Sequence, residues 1–150
     1  MTIRDLVTAF VLADGTVASL IGTRLYPDVI PSKATYPAVK IQVIDVQRPG
    51  TLRSQASLAT ARIQFDVYAG PTAGGSRGKA DVVGAAIRRR LLDDGLFCTL
   101  TDTTTSPSTV IKAWMSHADE REGPFEDIDG GLSEWSADYF VQYQTNGGAY

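Results

Sequence analysis

The sequence contains few residues of the kinds that build catalytic or metal sites. Among 150 residues there is one cysteine, Cys98, and one histidine, His117. A single cysteine excludes an internal disulfide and a cysteine-based metal cluster, and it is typical of a chain kept in a reducing compartment. A single histidine without a thiolate nearby makes a catalytic zinc site hard to assemble. The chemistry available to this chain is therefore narrow, and we predict no metal site and no cofactor.

The sequence also lacks a long hydrophobic run and a basic excess. No stretch approaches the roughly 20 apolar residues of a membrane helix, and the charges of Arg4 and Asp5 argue against a signal peptide. The formal net charge is −3, whereas nucleic-acid binders usually carry a basic excess. We therefore expect a chain made in the cytoplasm that stays soluble until it assembles. We predict no membrane partner and no recognition of nucleic-acid sequence.

Alternation of apolar and polar residues is the strongest pattern that the sequence does contain. It runs without a break from Ala61 to Ala69, and this period of two predicts a strand with one buried face. Three further segments share the pattern: Val39–Val43, Val110–His117 and Trp135–Tyr143. The sequence therefore predicts four main strands.

Two segments have the residue spacing of amphipathic helices, Thr2–Leu12 and Arg77–Asp93. A further short turn is expected at Thr16–Leu20, and short strands are expected at Arg24–Tyr26 and Phe97–Leu100. The residues after Asn146 read as a loose tail.

The order of these elements predicts the fold class. We expect one α+β domain over residues 1–150, with main elements in the order α-β-β-α-β-β and a loose tail from about 145 to 150. Alternating strands suit an antiparallel four-stranded sheet, with a mixed sheet as the alternative. Two helices would then pack on one face of that sheet.

Three groups of residues resemble known catalytic or ligand-binding motifs, but none of them matches its motif in full. In the Gly-rich segment Ala73–Ala80, alanines replace both the first glycine and the hydroxyl residue that a phosphate loop needs. In the acidic segment Asp119–Gly130, an EF-hand reading would put Phe125 and Ser136 at ligand positions. A looser divalent site stays open there, beside the reading as a solvated hairpin loop. A Cys98–His117 nucleophile pair also stays open, although no surrounding motif supports it.

Several surface features suit contacts with other proteins. The connection Gln47–Thr60 is too long for a tight hairpin, and long loops in compact domains are usually functional or disordered. We expect it to order during assembly, against a neighbouring subunit or against another component of the assembly. The exposed sheet face and the end of the second helix supply the remaining candidates. The predicted interface residues are Arg48, Pro49, Arg53, Arg62, Gln64, Tyr68, Arg89, Leu92 and Phe140.

Three phrases carry a resemblance to a known family. They are Leu12–Pro27, Tyr36–Val39 and Ala61–Ala69, with Glu120-Arg121 between the two closing strands. The chain resembles the tail-completion, or tail-terminator, proteins of long-tailed bacteriophages and of phage-derived gene transfer agents. The likeness spans residues 3 to 144 in order.

The resemblance implies a structural role. Proteins of this family are α+β domains that form a hexameric ring at the head-proximal end of the tail tube, and they are not enzymes. The resemblance implies a virion protein of the tail or neck, assembled in the bacterial cytoplasm. Its partners would be copies of itself, the tail tube protein and the head–tail connector or stopper. The alternative is a standalone cytoplasmic binding module or small enzyme that uses the acidic loop 119–130.

Overall fold

The computed structural model describes residues 1–50, 57–70, 76–128 and 132–145, without the side chains of 76–79, 120–128 and 132. Of the loose tail expected after residue 145, only Thr145 belongs to this part of the chain. The elements in chain order are α1 (Ile3–Leu12), α2 (Gly15–Ile21), β1 (Leu25–Pro27), β2 (Ala38–Gln47), β3 (Leu58–Ala69), α3 (Ser76–Arg89), β4 (Cys98–Asp102), β5 (Thr109–Ile128) and β6 (Leu132–Gln144). A π-helical turn, Arg90–Asp94, continues α3.

Side-chain caps fix where the first two helices begin. Thr2 and Asp5 form a reciprocal capping box at the start of α1, which satisfies donors that the helix itself leaves open. The Asp14 carboxylate accepts a hydrogen bond of 2.9 Å from the backbone N–H of Val17 and caps α2. Gly22 ends α2 with a φ of 57°, a conformation that glycine adopts without strain. Two short helices therefore follow one another where the sequence predicted one helix and a turn.

The six strands form one mixed sheet in the order β1-β2-β3-β6-β5-β4. β1 pairs with β2 in parallel, and the other neighbours are antiparallel. The prediction of a four-stranded sheet with two helices is therefore wrong. The short strands β1 and β4 pair with parts of β2 and β5 at the two sides of the sheet, and α2 is a third helix.

The acidic segment is also different from the prediction. The loop expected over Ala118–Gly131 is wrong for residues 118–128, because β5 continues to Ile128 and pairs with β6. The register shifts between His117 and Asp119 and again on either side of Phe125. Each shift interrupts the alternation of side chains between the two faces. The backbone pairing therefore persists where the sequence shows no period of two.

One hydrophobic core lies between the helices and a single face of the sheet. Helix α1 contacts β1 and β2 near one side of the sheet and β4 at the other side. A flat sheet of this width could not touch one helix at both sides, so the sheet is curled around α1. The largest fully buried side chains on the sheet are Ile41, Ile63, Phe65, Leu100, Ile111, Met115, Tyr139 and Tyr143.

Helix α3 approaches β6 at a glycine. A Cβ atom added to Gly84 would lie 2.3 Å from Cδ2 of Trp135, well inside van der Waals contact. The absence of a side chain at Gly84 therefore lets the indole ring lie directly against the helix backbone. A residue of any other type at this position would push α3 away from β6.

We predict that Gly84→Ala lowers the free energy of unfolding by about 2 kcal/mol, because the added methyl group overpacks a closed contact. The melting temperature should fall by roughly 4–8 °C for a chain of this length. Gly15→Ala is the matched control, since nothing lies within 4 Å of the Cβ position at Gly15. Calorimetry should show this control unchanged or slightly stabilised. A Gly84→Ala protein as stable as the parent would contradict the close approach.

Candidate assembly surface

The sheet face that points away from the helices carries four of the predicted interface residues. In the register of β3 with β6, Arg62 lies opposite Phe140, Gln64 opposite Asp138, and Tyr68 opposite Glu134. Arg62, Gln64 and Tyr68 are half-buried, and Phe140 is 36% exposed. We call this surface the outer face.

A polar network closes the middle of the outer face. The carboxylate of Asp66 accepts hydrogen bonds from Ser136 at 2.6 Å and from Gln64 at 2.8 Å, and it pairs with Lys40 at 2.9 Å. Asp66 is only 2% exposed. A buried carboxylate needs such partners, and breaking one of them leaves an uncompensated charge. This network therefore stabilises the face and has little free bonding capacity for a ligand.

The pKa values of two acidic groups beside this network, Glu134 and Tyr68, are raised. Burial, together with the charge of Asp66, raises the pKa of Glu134. Burial is also the largest cause that raises the pKa of Tyr68, and the charges of Glu134 and Asp66 add to it. The Tyr68 hydroxyl remains a hydrogen-bond donor to Glu134 at neutral pH.

A cleft of about 250 Å³ lies next to the network, toward β2. One wall is the ion pair of Arg62 with Asp138, in which both Nε and Nη2 donate to Oδ2. Ile44 and Asp119 line the cleft as well. Ile44 sits at the register shift between Val43 and Asp45 and is 50% exposed. The bulge therefore turns an apolar side chain outward at the edge of the sheet.

The end of α3 is tied to the N-terminal helices. Arg89 pairs with Asp14 and with Asp94, and Arg90 donates to the carbonyl oxygen of Phe10 at 3.0 Å. The Arg90 guanidinium also lies 3.8 Å from the centroid of the Phe10 ring, which is a cation–π contact. Leu92, one of the predicted interface residues, is partly buried and packs against the core. Leu92 lies in the π-helical turn, which advances fewer degrees per residue than an α-helix and so turns its side chain toward the core.

A larger apolar groove of about 800 Å³ runs between α1 and β4. Leu6 and Phe10 line its helix side, and Cys98 and Leu100 line its strand side. The groove also contains the exposed Phe97, which is 82% accessible to solvent. The sequence reasoning missed this groove, because it forms only when the curled sheet brings β4 next to α1. The adjacent apolar residues Leu96 and Phe97 in an otherwise polar connection were the available signal.

The other predicted interface residues are spread along the chain. Arg48 and Pro49 directly follow β2 and are exposed. Arg53 lies outside the described residues. Arg89 is 44% exposed at its side chain although it is paired. The predicted residues therefore do not form one continuous patch.

The structure does not bring a nucleophile pair together. Cys98 lies opposite Ala113 in the sheet, and His117 is four residues further along β5, which separates them by about 13 Å. Within the described residues no group of three or more His, Cys, Asp or Glu side chains could hold a metal ion. The side chains of most of the acidic segment lie outside that range. No helix in the described part of the chain is long and apolar enough to cross a membrane.

Comparison with solved structures identifies the fold. A chain from the virion of a native gene transfer agent particle superposes with a TM-score of 0.62 and 15% sequence identity. The match covers 95% of this chain and 95% of that chain. At this identity the likeness shows a shared fold, so the architecture is one that occurs in a virion protein. No curated protein matches the chain in sequence.

The family itself is shown by sequence. The model of the family described as tail completion protein gp17 matches residues 5–120. The chain therefore belongs to the tail completion protein gp17 family and is a structural protein of the virion tail. The resemblance on Leu12–Pro27, Tyr36–Val39 and Ala61–Ala69 is confirmed.

We predict that Glu134→Gln stabilises the folded protein at neutral pH and leaves it unchanged in acid. An acid whose pKa is raised by folding binds its proton more tightly in the folded state, so stability falls as pH rises through that pKa. The glutamine has no charge to bury and keeps an acceptor for Tyr68. Urea unfolding at several pH values between about 4 and 7.5 should show that the variant's free energy of unfolding exceeds the parent's by an amount that grows with rising pH. A variant that becomes relatively less stable toward neutral pH would contradict this.

Proposed function

We propose that this chain is the tail terminator, which forms a ring at the head-proximal end of the tail tube. In this role it ends polymerisation of the tube and joins the tail to the head connector or stopper. It needs no catalytic step and no cofactor for this. The observation that supports the proposal most is membership of the tail completion family over residues 5–120.

The open edges of the sheet suit a ring. A head-to-tail ring needs two different patches on each subunit, and it closes when the rotation from copy to copy is a whole fraction of a turn. β2 and β4 lie near opposite sides of one sheet, so a contact between them joins successive copies in one direction. A ring of six is the size that the family likeness favours.

The outer face and the chain after β2 are candidates for contacts with the tube and the connector. Arg62, Gln64, Tyr68 and Phe140 share the outer face, and its closed polar network gives it a fixed shape. A rigid face binds a partner with little loss of conformational entropy. Arg48 and Pro49 extend this surface beyond the end of β2. Arg89 and Leu92 mark a separate candidate contact at the end of α3.

We expect particles that carry a small tag on this chain to show extra density at the head-proximal end of the tail in electron micrographs. Particles made without the chain should separate into full heads and unattached tails, with a broader spread of tube lengths. The same tag on a tube subunit is the control, because it should label the whole length of the tail. Label at the distal tip, or normal joined particles without the chain, would reject the proposal.

A further inference from the structure

We propose that neighbouring copies of this chain join by strand addition, with segment Val43–Gln47 of one copy lying in the groove between α1 and β4 of the next. We call Val43–Gln47 the donor segment and the 800 Å³ cavity the acceptor groove. This inference rests on the proposed ring and names the contact that builds it.

The donor segment is an open edge of the sheet. β1 pairs only with Val39–Ile41, and no described strand lies beyond β2 from Val43 to Gln47. The burial of β2 also ends here, because Ile44, Asp45 and Gln47 are exposed while Val39 and Ile41 are fully buried. Exposed strand edges are templates for pairing with another chain, and they are often protected by lysine or proline. The donor segment contains neither residue, and its edge is interrupted only by Asp45 and the register shift at Ile44.

The acceptor groove has the form that an extended segment requires. β4 is the last strand on its side among the described residues, and four of its residues, Cys98 to Thr101, line one wall of the groove. Phe10 on α1 is half-buried and offers apolar surface facing that wall. In strand addition, backbone hydrogen bonds supply affinity and side-chain pockets supply specificity. Leu96 and Phe97, 54% and 82% exposed, are apolar surface that an added strand would cover.

Charge complementarity indicates that the strand in the acceptor groove comes from a second copy of this chain. Lys112 lines the groove and is exposed, and it has no acidic partner among the described side chains. Asp45 is the one charge on the donor segment, and its only described side-chain bond is to the neutral Gln47 at 3.1 Å. The donor segment and the acceptor groove therefore each carry one charge without an oppositely charged partner among the described side chains, and the two signs are opposite. Such pairs favour the correct partner and fix its register.

The heights of the two edges set the offset between copies. Gln47 is level with Thr60 and Gln142, and Cys98 is level with Ala113 and Tyr143. The donor segment therefore ends one residue below the level at which β4 begins, and the next copy must shift by about four residues along the strands to place Asp45 beside Lys112. Strand addition between copies would extend one sheet through the ring without using the outer face.

The test is a charge exchange measured on assembled particles. We expect Asp45→Lys and Lys112→Asp each to reduce the number of head-joined tails at least about tenfold, because each places like charges in every contact. The double variant restores opposite charges in every contact and should return to within about threefold of the parent. Circular dichroism and melting temperatures should match across all four proteins, since both positions are exposed. Single variants that assemble normally, or a double variant that is not rescued, would overturn the inference.

Cross-linking tests the same contact with a variant that is expected to assemble normally. Ile44→Cys adds a thiol on the donor segment, opposite the native Cys98 of the acceptor groove in the next copy. Three strands separate these positions within one subunit, so a short bifunctional thiol reagent can join them only between copies. Because burial raises the pKa of the Cys98 thiol, the reaction is run at about pH 8. Val82→Cys on α3 is the matched control, with 54% exposure against 50% at Ile44.

A ladder of linked subunits for Ile44→Cys but not for Val82→Cys supports the inference. Particles with normal density at the tail end and no Ile44→Cys ladder reject this contact and leave the proposed function standing. Density elsewhere on the particle rejects both.

Discussion

The curl of the sheet around helix α1 is the constraint on which the other features of this fold depend. The helix contacts β1 and β2 near one side of the sheet and β4 at the other. The sheet can flatten only by exposing side chains such as Leu6, Val7 and Phe65, each at most 1% exposed. Burial of about 1.5–3 kcal/mol per large apolar side chain makes that opening expensive. The curl in turn creates the groove at β4 and leaves both sides of the sheet without a covering strand along part of their length.

The polar network in the middle of the outer face has little hydrogen-bonding capacity left for a partner. Asp66, Ser136, Gln64 and Lys40 satisfy one another across three strands. A closed network of this kind gives shape and rigidity, and it has few donors or acceptors left for a partner. Unused bonding capacity is instead found at the sheet edges, where backbone groups and single charges have no described partner. A protein that assembles by sheet extension can therefore combine a stable central surface with sheet edges that are free to pair with another copy.

The parts of the fold that were predictable are those in which local pattern and burial agree. β3 and β6 alternate because one face is buried along their whole length, and Thr2 marks the start of α1 because a capping box is local chemistry. The paired strands β1 and β4 are three and five residues long, too short for periodicity to establish their place in the sheet. The acidic half of β5 pairs through its backbone while register shifts disturb its alternation. The groove could not be predicted, since it joins Leu6 to Leu100 through the curl alone.

In the strand-addition contact proposed above, helix α1 supports both of the surfaces that meet. Its inner turns line the groove beside β4, and it also packs against β1 and β2, from which the donor segment continues. A neighbouring copy bound in the groove would restrict the motion of helix α1, and the restricted helix would in turn restrict the motion of β1 and β2. The loss of conformational freedom on adding the next copy is then smaller, which is positive cooperativity without a change of shape. Closed rings would accordingly accumulate in preference to short open chains.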